Sequence, residues 1–149
     1  MFPPNQLIFI LEDNPDRLVP MYAVLHTVLP NFGIHIENDC NSAISFLRDH
    51  KSDIALISLD HDLDSVSRDE NPPRDHGCGR PVADYLASQL PTCPVIIHTS
   101  NAIAGDGMFF ALKRAGWPVF RVYPRDHHEW IEAHWALQVT NLKLMGWIE

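Results

Sequence analysis

An α/β fold, with a parallel five-stranded sheet held between two layers of helix, is what the sequence predicts. Three observations carry that expectation. Apolar runs of strand length alternate with stretches of helical periodicity along all 149 residues. Two of the runs, QLIFIL at 6–11 and IALISL at 54–59, are apolar at almost every position, as strands covered on both faces are. Each run stops at polar or turn-forming residues before a helical pattern begins, which is the order of repeated strand-helix units.

The first strand, 6–11, ends at Glu12-Asp13-Asn14-Pro15, where Asn14 can cap a helix that has Pro15 at its first position. Leu18, Met21, Tyr22, Leu25, Val28 and Leu29 follow at helical spacing as far as Pro30, and Pro20 among them predicts a late start or a kink. GIHIE at 33–37 alternates like a short second strand, and 41–48 reads as a helix with Ile44 and Leu47 on one side. The third strand, 54–59, runs into Asp60-His61-Asp62. A polar stretch over 63–80, with Pro72-Pro73 and Gly77-Cys78-Gly79, is long enough to mark a functional or disordered loop. Pro81 opens a helix to about Leu90, and PVIIH at 94–98 is a fourth strand ending in Thr99-Ser100-Asn101. A helix over 107–115 stops at Gly116, and a fifth strand at 119–123 is closed by Pro124. The last helix starts at Asp126 or His127, with Trp130, Ile131, Trp135, Leu137, Leu142 and Met145 as its inner face. Right-handed crossovers leave few topologies, and the flavodoxin-like order 2-1-3-4-5, a three-layer sandwich, is the common five-strand choice.

Composition bounds the function. With 46% apolar residues and no low-complexity tract, 1–149 is expected to be one folded domain rather than a disordered chain. No apolar run approaches the roughly 20 residues that span a bilayer, and no basic residue precedes an apolar stretch at the N-terminus as in a signal peptide. Cys40, Cys78 and Cys93 are odd in number and lack C-x-x-C spacing, which argues against disulfides or a zinc knuckle. They read as small hydrophobes, with Cys78 the candidate for exposure. The expectation is a soluble, cytoplasmic domain without a membrane partner. Eleven Lys+Arg against 19 Asp+Glu give a net charge of −8, so no broad nucleic-acid surface is expected. A local basic site, or a metal among carboxylates, can still receive a small phosphate.

In an open parallel sheet, ligands sit beyond the carboxyl ends of the strands where the order reverses. Here that gathers Glu12-Asp13, Asp60-His61-Asp62 and His98-Thr99-Ser100-Asn101. Carboxylates from two neighbouring strand ends form a hard oxygen site of the kind Mg²⁺ prefers, with a phosphate oxygen as a further ligand. The sequence at this point resembles the receiver domains of two-component signalling, of the CheY-like fold. Glu12-Asp13 matches their acidic pair, Asp60 their phosphoacceptor, Thr99 their strand-four hydroxyl, and Tyr123-Pro124 the place of their Lys-Pro. The departures are Tyr123 where that lysine belongs, His61-Asp62-Leu63-Asp64 after the aspartate, and the long polar loop.

A divergent branch is closer. LDHDLD at 59–64, GCGRPVADYL at 77–86, HTSN at 98–101 and WPVFRVYP at 117–124 resemble the cyclic-phosphate-processing receiver-like family, in the same order and at the same elements. That resemblance implies a receiver fold that processes a cyclic phosphate with an added histidine in the site. The substrate it suggests is a 2′,3′-cyclic nucleotide or RNA end. From the residues, His61 and His98 stand near neighbouring strand ends about 4.8 Å apart and can divide general base and acid roles. Glu12, Asp13 and Asp60 are the expected ligands of Mg²⁺ or Mn²⁺. Backbone N–H groups at Gly77 and Gly79, the Arg80 guanidinium, and Thr99, Ser100 and Asn101 are the expected phosphate contacts. The alternatives are a receiver phosphorylated on Asp60, or a non-catalytic module that binds a partner through its last helix. That tryptophan-bearing helix fits either a core face or a homodimer seam. Asp75 and His76, and the group His127, His128, Glu129 and His134, read as a solvated loop and a solvated helix start.

Overall fold

Five parallel strands run in the order β2-β1-β3-β4-β5 in the computed structural model, which describes residues 6–63, 76–125 and 127–149. They are β1 (Leu7–Leu11), β2 (Gly33–Glu37), β3 (Ile54–Leu59), β4 (Val95–Ile97) and β5 (Val119–Arg121). The expected order is therefore the observed one. β1 and β3 lie inside the sheet and are buried at every position, which is why they lack any polar alternation.

Helices α1 (Pro15–Val28), α2 (Cys40–His50), α3 (Arg80–Ala87), α4 (Ala102–Arg114) and α5 (Ala136–Leu144) cover the two faces. The strand period of two sends Leu7, Phe9, Leu11, Ile57 and Leu59 into a core shared with α2, α3 and α4. Ile8, Ile10, Leu56 and Ile96 point the other way, onto α1, α5 and the tryptophans Trp130 and Trp135. Trp130 and Trp135 are thus core residues, while Trp147 is exposed.

Four helix boundaries differ from the sequence expectation, three of them for a local reason. α1 starts at Pro15 and runs through Pro20. The carbonyl that Pro20 leaves unbonded is that of Asp16, in the exposed first turn, where water can reach it. α2 starts at Cys40 because Asp39, itself buried, caps it by accepting the N–H of Ser42. α3 ends at Ala87, short of Leu90. α4 starts at Ala102 rather than at 107, capped by Asn101, whose Oδ1 accepts the N–H of Ala104. Gly105 and Gly107 disguised that start; both lie inside the helix, and a Cβ at either would meet the guanidinium of Arg121 or Arg80.

The inner face of the last helix also differs. Val139 is buried in the place expected for Leu137, and Leu137 and Met145 are exposed. A single π-helical turn, Ile131–Trp135, precedes α5. Counted from Trp135, the buried positions Val139 and Leu142 then keep helical spacing, while Leu137 falls on the opposite side. His76 is not solvated: its ring lies 3.6 Å from Asp39 and its carbonyl accepts the N–H of Cys40. Asp75 and most of the polar stretch expected as a loop lie outside the described residues.

The entry to α3 is pinned against the end of β3. Gly79 donates its N–H to the carbonyl of His61, and Asp62 bridges Cys78 in antiparallel fashion. A Cβ on Gly79 would overlap the carbonyl of Asp60. Gly77, at φ +73°, would place a Cβ 2.6 Å from Cys40 Sγ. Gly79→Ala is accordingly expected to destabilise the protein by about 1–3 kcal/mol, as overpacking against backbone does. A lower urea midpoint at unchanged m-value checks it.

Candidate active site

The strand register builds the site. Leu11 pairs with Leu59, Leu59 with Ile97 and Ile97 with Arg121. One residue further on, Asp60 donates its N–H to Leu11, His98 to Leu59 and Val122 to Ile97. Glu12, Asp60 and His98 therefore leave the sheet abreast, on the face that carries α1 and α5. A ligand atom from each lies within 4.8 Å of the others.

All three side chains are buried, so their partners decide what they can do. Glu12 Oε1 accepts the N–H groups of Asp13 and Asn14 at the start of α1. Its Oε2 accepts from His98 Nε2 at 2.9 Å and from Arg17 Nη1 at 3.4 Å. The same Arg17 nitrogen is 3.4 Å from Asp60 Oδ2, so one guanidinium straddles two carboxylates. On its other ring nitrogen, Nδ1, His98 meets the Ser58 hydroxyl at 2.7 Å, and Ser58 in turn accepts the indole N–H of Trp135. Trp130 stacks on His98 and lies under the Arg17 guanidinium.

These surroundings move the two carboxyls in opposite directions. Burial pushes Glu12 up, but the hydrogen bond and charge of His98, the Arg17 guanidinium and the Asn14 N–H outweigh it and hold Glu12 below the usual range. Asp60 is pushed up to about 6, by burial first and by the charge of Glu12; His98, Arg17 and the His61 N–H offset only part of this. Glu12 and Asp60, with His98, bring ligand atoms within 4.8 Å of one another. That donor set, rich in oxygen, fits a divalent cation.

Above the floor lies a cleft of about 420 Å³, lined by residues that include Asp13, Arg17, Asp60, Asp62 and Ser100. His61 is not among the residues that line it, nor does it stand next to His98. By the strand period it leaves on the α3 side, and its Nδ1 lies 2.7 Å from Asp62 Oδ1. A carboxylate only accepts, so Nδ1 carries the proton and Nε2 has no partner among the described residues. The sequence reading set His61 beside His98; the register puts Asp60 there.

The remaining expected residues are spread around this centre. Thr99 is buried, and its Oγ1 accepts the N–H of Asn101. Ser100 is exposed on the cleft wall, and the Asn101 amide donates to Asp62 at 3.4 Å. The Gly79 N–H is spent on His61, and Arg80 turns to Asp84 at 2.9 Å, outside the cleft lining. Tyr123 lies against the Arg121 guanidinium, 4.5 Å from ring centre to carbon. Sequence reasoning missed Arg17, Ser58 and the two tryptophans as members of the site. Only the polar Ser58 inside an otherwise apolar strand signals any of them.

A family profile described as the cyclic-phosphate processing receiver domain matches residues 10–114. No functionally curated protein matches the chain significantly. Among solved structures, the chain is similar to the phosphorylated cyanobacterial phytochrome response regulator RcpA, with 18% identity, a TM-score of 0.64, and 96% of this chain and 94% of that one covered. The Mn²⁺-bound form of response regulator Rcp1 is similar at 19% identity and TM-score 0.63, over 97% and 95% of the two chains. The CheX-CheY-BeF3-Mg²⁺ complex from Borrelia burgdorferi is similar at 16% identity and TM-score 0.60, over 93% and 88%. These likenesses fix the fold as that of response-regulator receivers. Among the described residues, no helix is long and apolar enough to cross a membrane.

Two measurements probe the buried floor. Because Asp60 holds its proton more tightly when folded, its contribution to stability is full below 3.8 and is lost as pH rises through about 6. Asp60→Asn is expected to stabilise the metal-free protein at about pH 8 by up to about 3 kcal/mol, a gain that vanishes near pH 4. Thermal melts in chelator across that range check it. Ser58→Ala leaves His98 Nδ1 and the Trp135 N–H without their partner and is expected to cost about 1–3 kcal/mol. Urea unfolding measures the loss.

Proposed function

Because the chain belongs to the cyclic-phosphate processing receiver domain family, we propose that its cleft opens a cyclic phosphate by metal-assisted hydrolysis, with a 2′,3′-cyclic nucleotide or RNA end as the substrate class. One observation carries the reading: buried carboxylates share a strand edge with an imidazole whose Nε2 has no partner among the described residues. Asp60, Asp13 and Glu12 are the residues that would hold Mg²⁺ or Mn²⁺, which when bound would neutralise charge on the non-bridging phosphate oxygens.

His61 is the acid/base group in this proposal. Its Nε2 takes a proton from the attacking water as the water oxygen bonds to phosphorus. The P–O bond of the ring breaks, and the imidazolium returns the proton to the leaving oxygen. Asp62, on Nδ1, keeps the ring in the required tautomer and stabilises its charged form. Arg17 and Ser100, both on the cleft lining, face the phosphate oxygens. Both ring nitrogens of His98 are committed to Glu12 and Ser58, so His98 acts as a positioning residue that holds Glu12 in place.

A second reading, phosphoryl acceptance at Asp60, is supported by the likeness in fold to phosphorylated RcpA. Tyr123, standing where receivers carry a lysine, and the raised Asp60 carboxyl speak against it.

The experiment is ³¹P NMR of a panel of cyclic phosphates, led by 2′,3′-cyclic nucleotides, with Mg²⁺ or Mn²⁺. Ring opening is expected, chelator should abolish it, and His61→Ala should slow it about 10²- to 10⁴-fold without lowering the melting temperature. A panel left intact with either metal overturns the proposal. A gain of one phosphoryl group in intact mass after acetyl phosphate, lost in Asp60→Asn, would establish the second reading instead.

A further inference from the structure

Arg121, at the end of β5, carries a charge that the cleft does not use. Its Nε, Nη1 and Nη2 are all shut from solvent, and none has a hydrogen-bond partner among the described residues. A guanidinium cannot shed its proton, so this is a permanent buried charge with five unsatisfied N–H donors. Proteins rarely keep such a group without a counter-charge.

The chain makes room for it deliberately on both sides. The Tyr123 ring covers one face at 4.5 Å. On the other side, Gly105 lacks the Cβ that would collide with the guanidinium. Glycine weakens a helix, yet it stands here within the first turn of α4. Beside this slot is a pocket of about 270 Å³ between the end of β5 and the last helix. Arg125, His134, Gln138 and Asn141 line it together with Arg121 and Tyr123. Among the described residues none that lines it is acidic, on a chain of net charge −8. His134 belongs to the π-helical turn, a local widening that often accompanies a function.

We propose that this pocket is an anion site that takes a phosphate monoester, with Arg121 as its principal ligand. A forked guanidinium, a second arginine and two neutral amides suit a doubly charged oxyanion with several acceptors. The volume lies below the roughly 300–1,000 Å³ of sites for drug-sized ligands, so the ester carries only a small organic body. Tyr123, about half exposed, is the movable wall; turned outward, it opens the guanidinium to the pocket. The site shares no lining residue with the carboxylate cleft, so it stands whatever that cleft does.

The test is a titration of the ¹⁵N-labelled full chain in chelator, at ionic strength held constant with chloride, by inorganic phosphate and separately by ribose 5-phosphate. Saturable shifts of the Gln138 and Asn141 side-chain amides are expected, unchanged in Asp60→Asn. Tighter binding of the sugar phosphate identifies an ester as the occupant, and equal binding identifies the phosphate group alone; either supports the site. Arg121→Met should weaken binding about ten- to a hundredfold. Asn141→Asp, at an exposed position that leaves the fold alone, should do the same by putting a negative charge in the pocket. No saturable shift, a shift confined to the Ser100 side of the molecule, or one undiminished in both variants overturns the proposal.

Discussion

Glu12 is a carboxylate taken wholly out of water, and burying an ionised group is tolerated only when nearly every lone pair is engaged. Four donors meet that demand: two backbone N–H groups from the start of α1, an imidazole from the end of β4, and a guanidinium from the body of α1. The imidazole is braced from β3 by Ser58, and Ser58 by Trp135 from the last helical segment. One side chain thus ties three neighbouring strands and two helices into a polar seam inside an apolar layer. The strand ends stay abreast because the seam and the β-ladder demand the same register.

That seam explains what was legible in the sequence and what was not. The five strand-helix units were readable because full burial makes β1 and β3 apolar throughout, and because Asn14 and Pro15 announce a helix. The acids at 12, 13 and 60 were readable because a polar residue directly after an apolar strand is conspicuous. The relation of His61 to His98 was not, since it turns on the strand-end register to within a single residue. An error of one moves an imidazole to the opposite face of the sheet. Ser58 and Trp135 bond across a long sequence separation, and no local pattern links them. The start of α4 was hidden for a related reason: its glycines answer to arginines from other elements, not to the helix that contains them.

The alternation of faces also divides the chemistry. Asp60 turns down toward α1 and the tryptophans, where burial pushes its carboxyl up to about 6. His61, the very next residue, belongs to the α3 side, where Gly79 grips its carbonyl and Asp62 its ring. Adjacent residues therefore meet different environments, one dry and anionic, the other open and oriented. The approach of α3 through Gly79 keeps the two in fixed relation.

Arg17 gives the anionic floor a resident cation, 3.4 Å from each carboxylate. Glu12 and Asp60, in holding a divalent ion, would exchange it for a charge already there. The guanidinium never titrates, but Asp60 does so near 6, so acid removes one of the two carboxylates for which ion and guanidinium would compete. The Arg17 side chain, tethered on α1 above Trp130, would then be free to meet an arriving anion. Loading the metal and readying the substrate's counter-charge would be one movement.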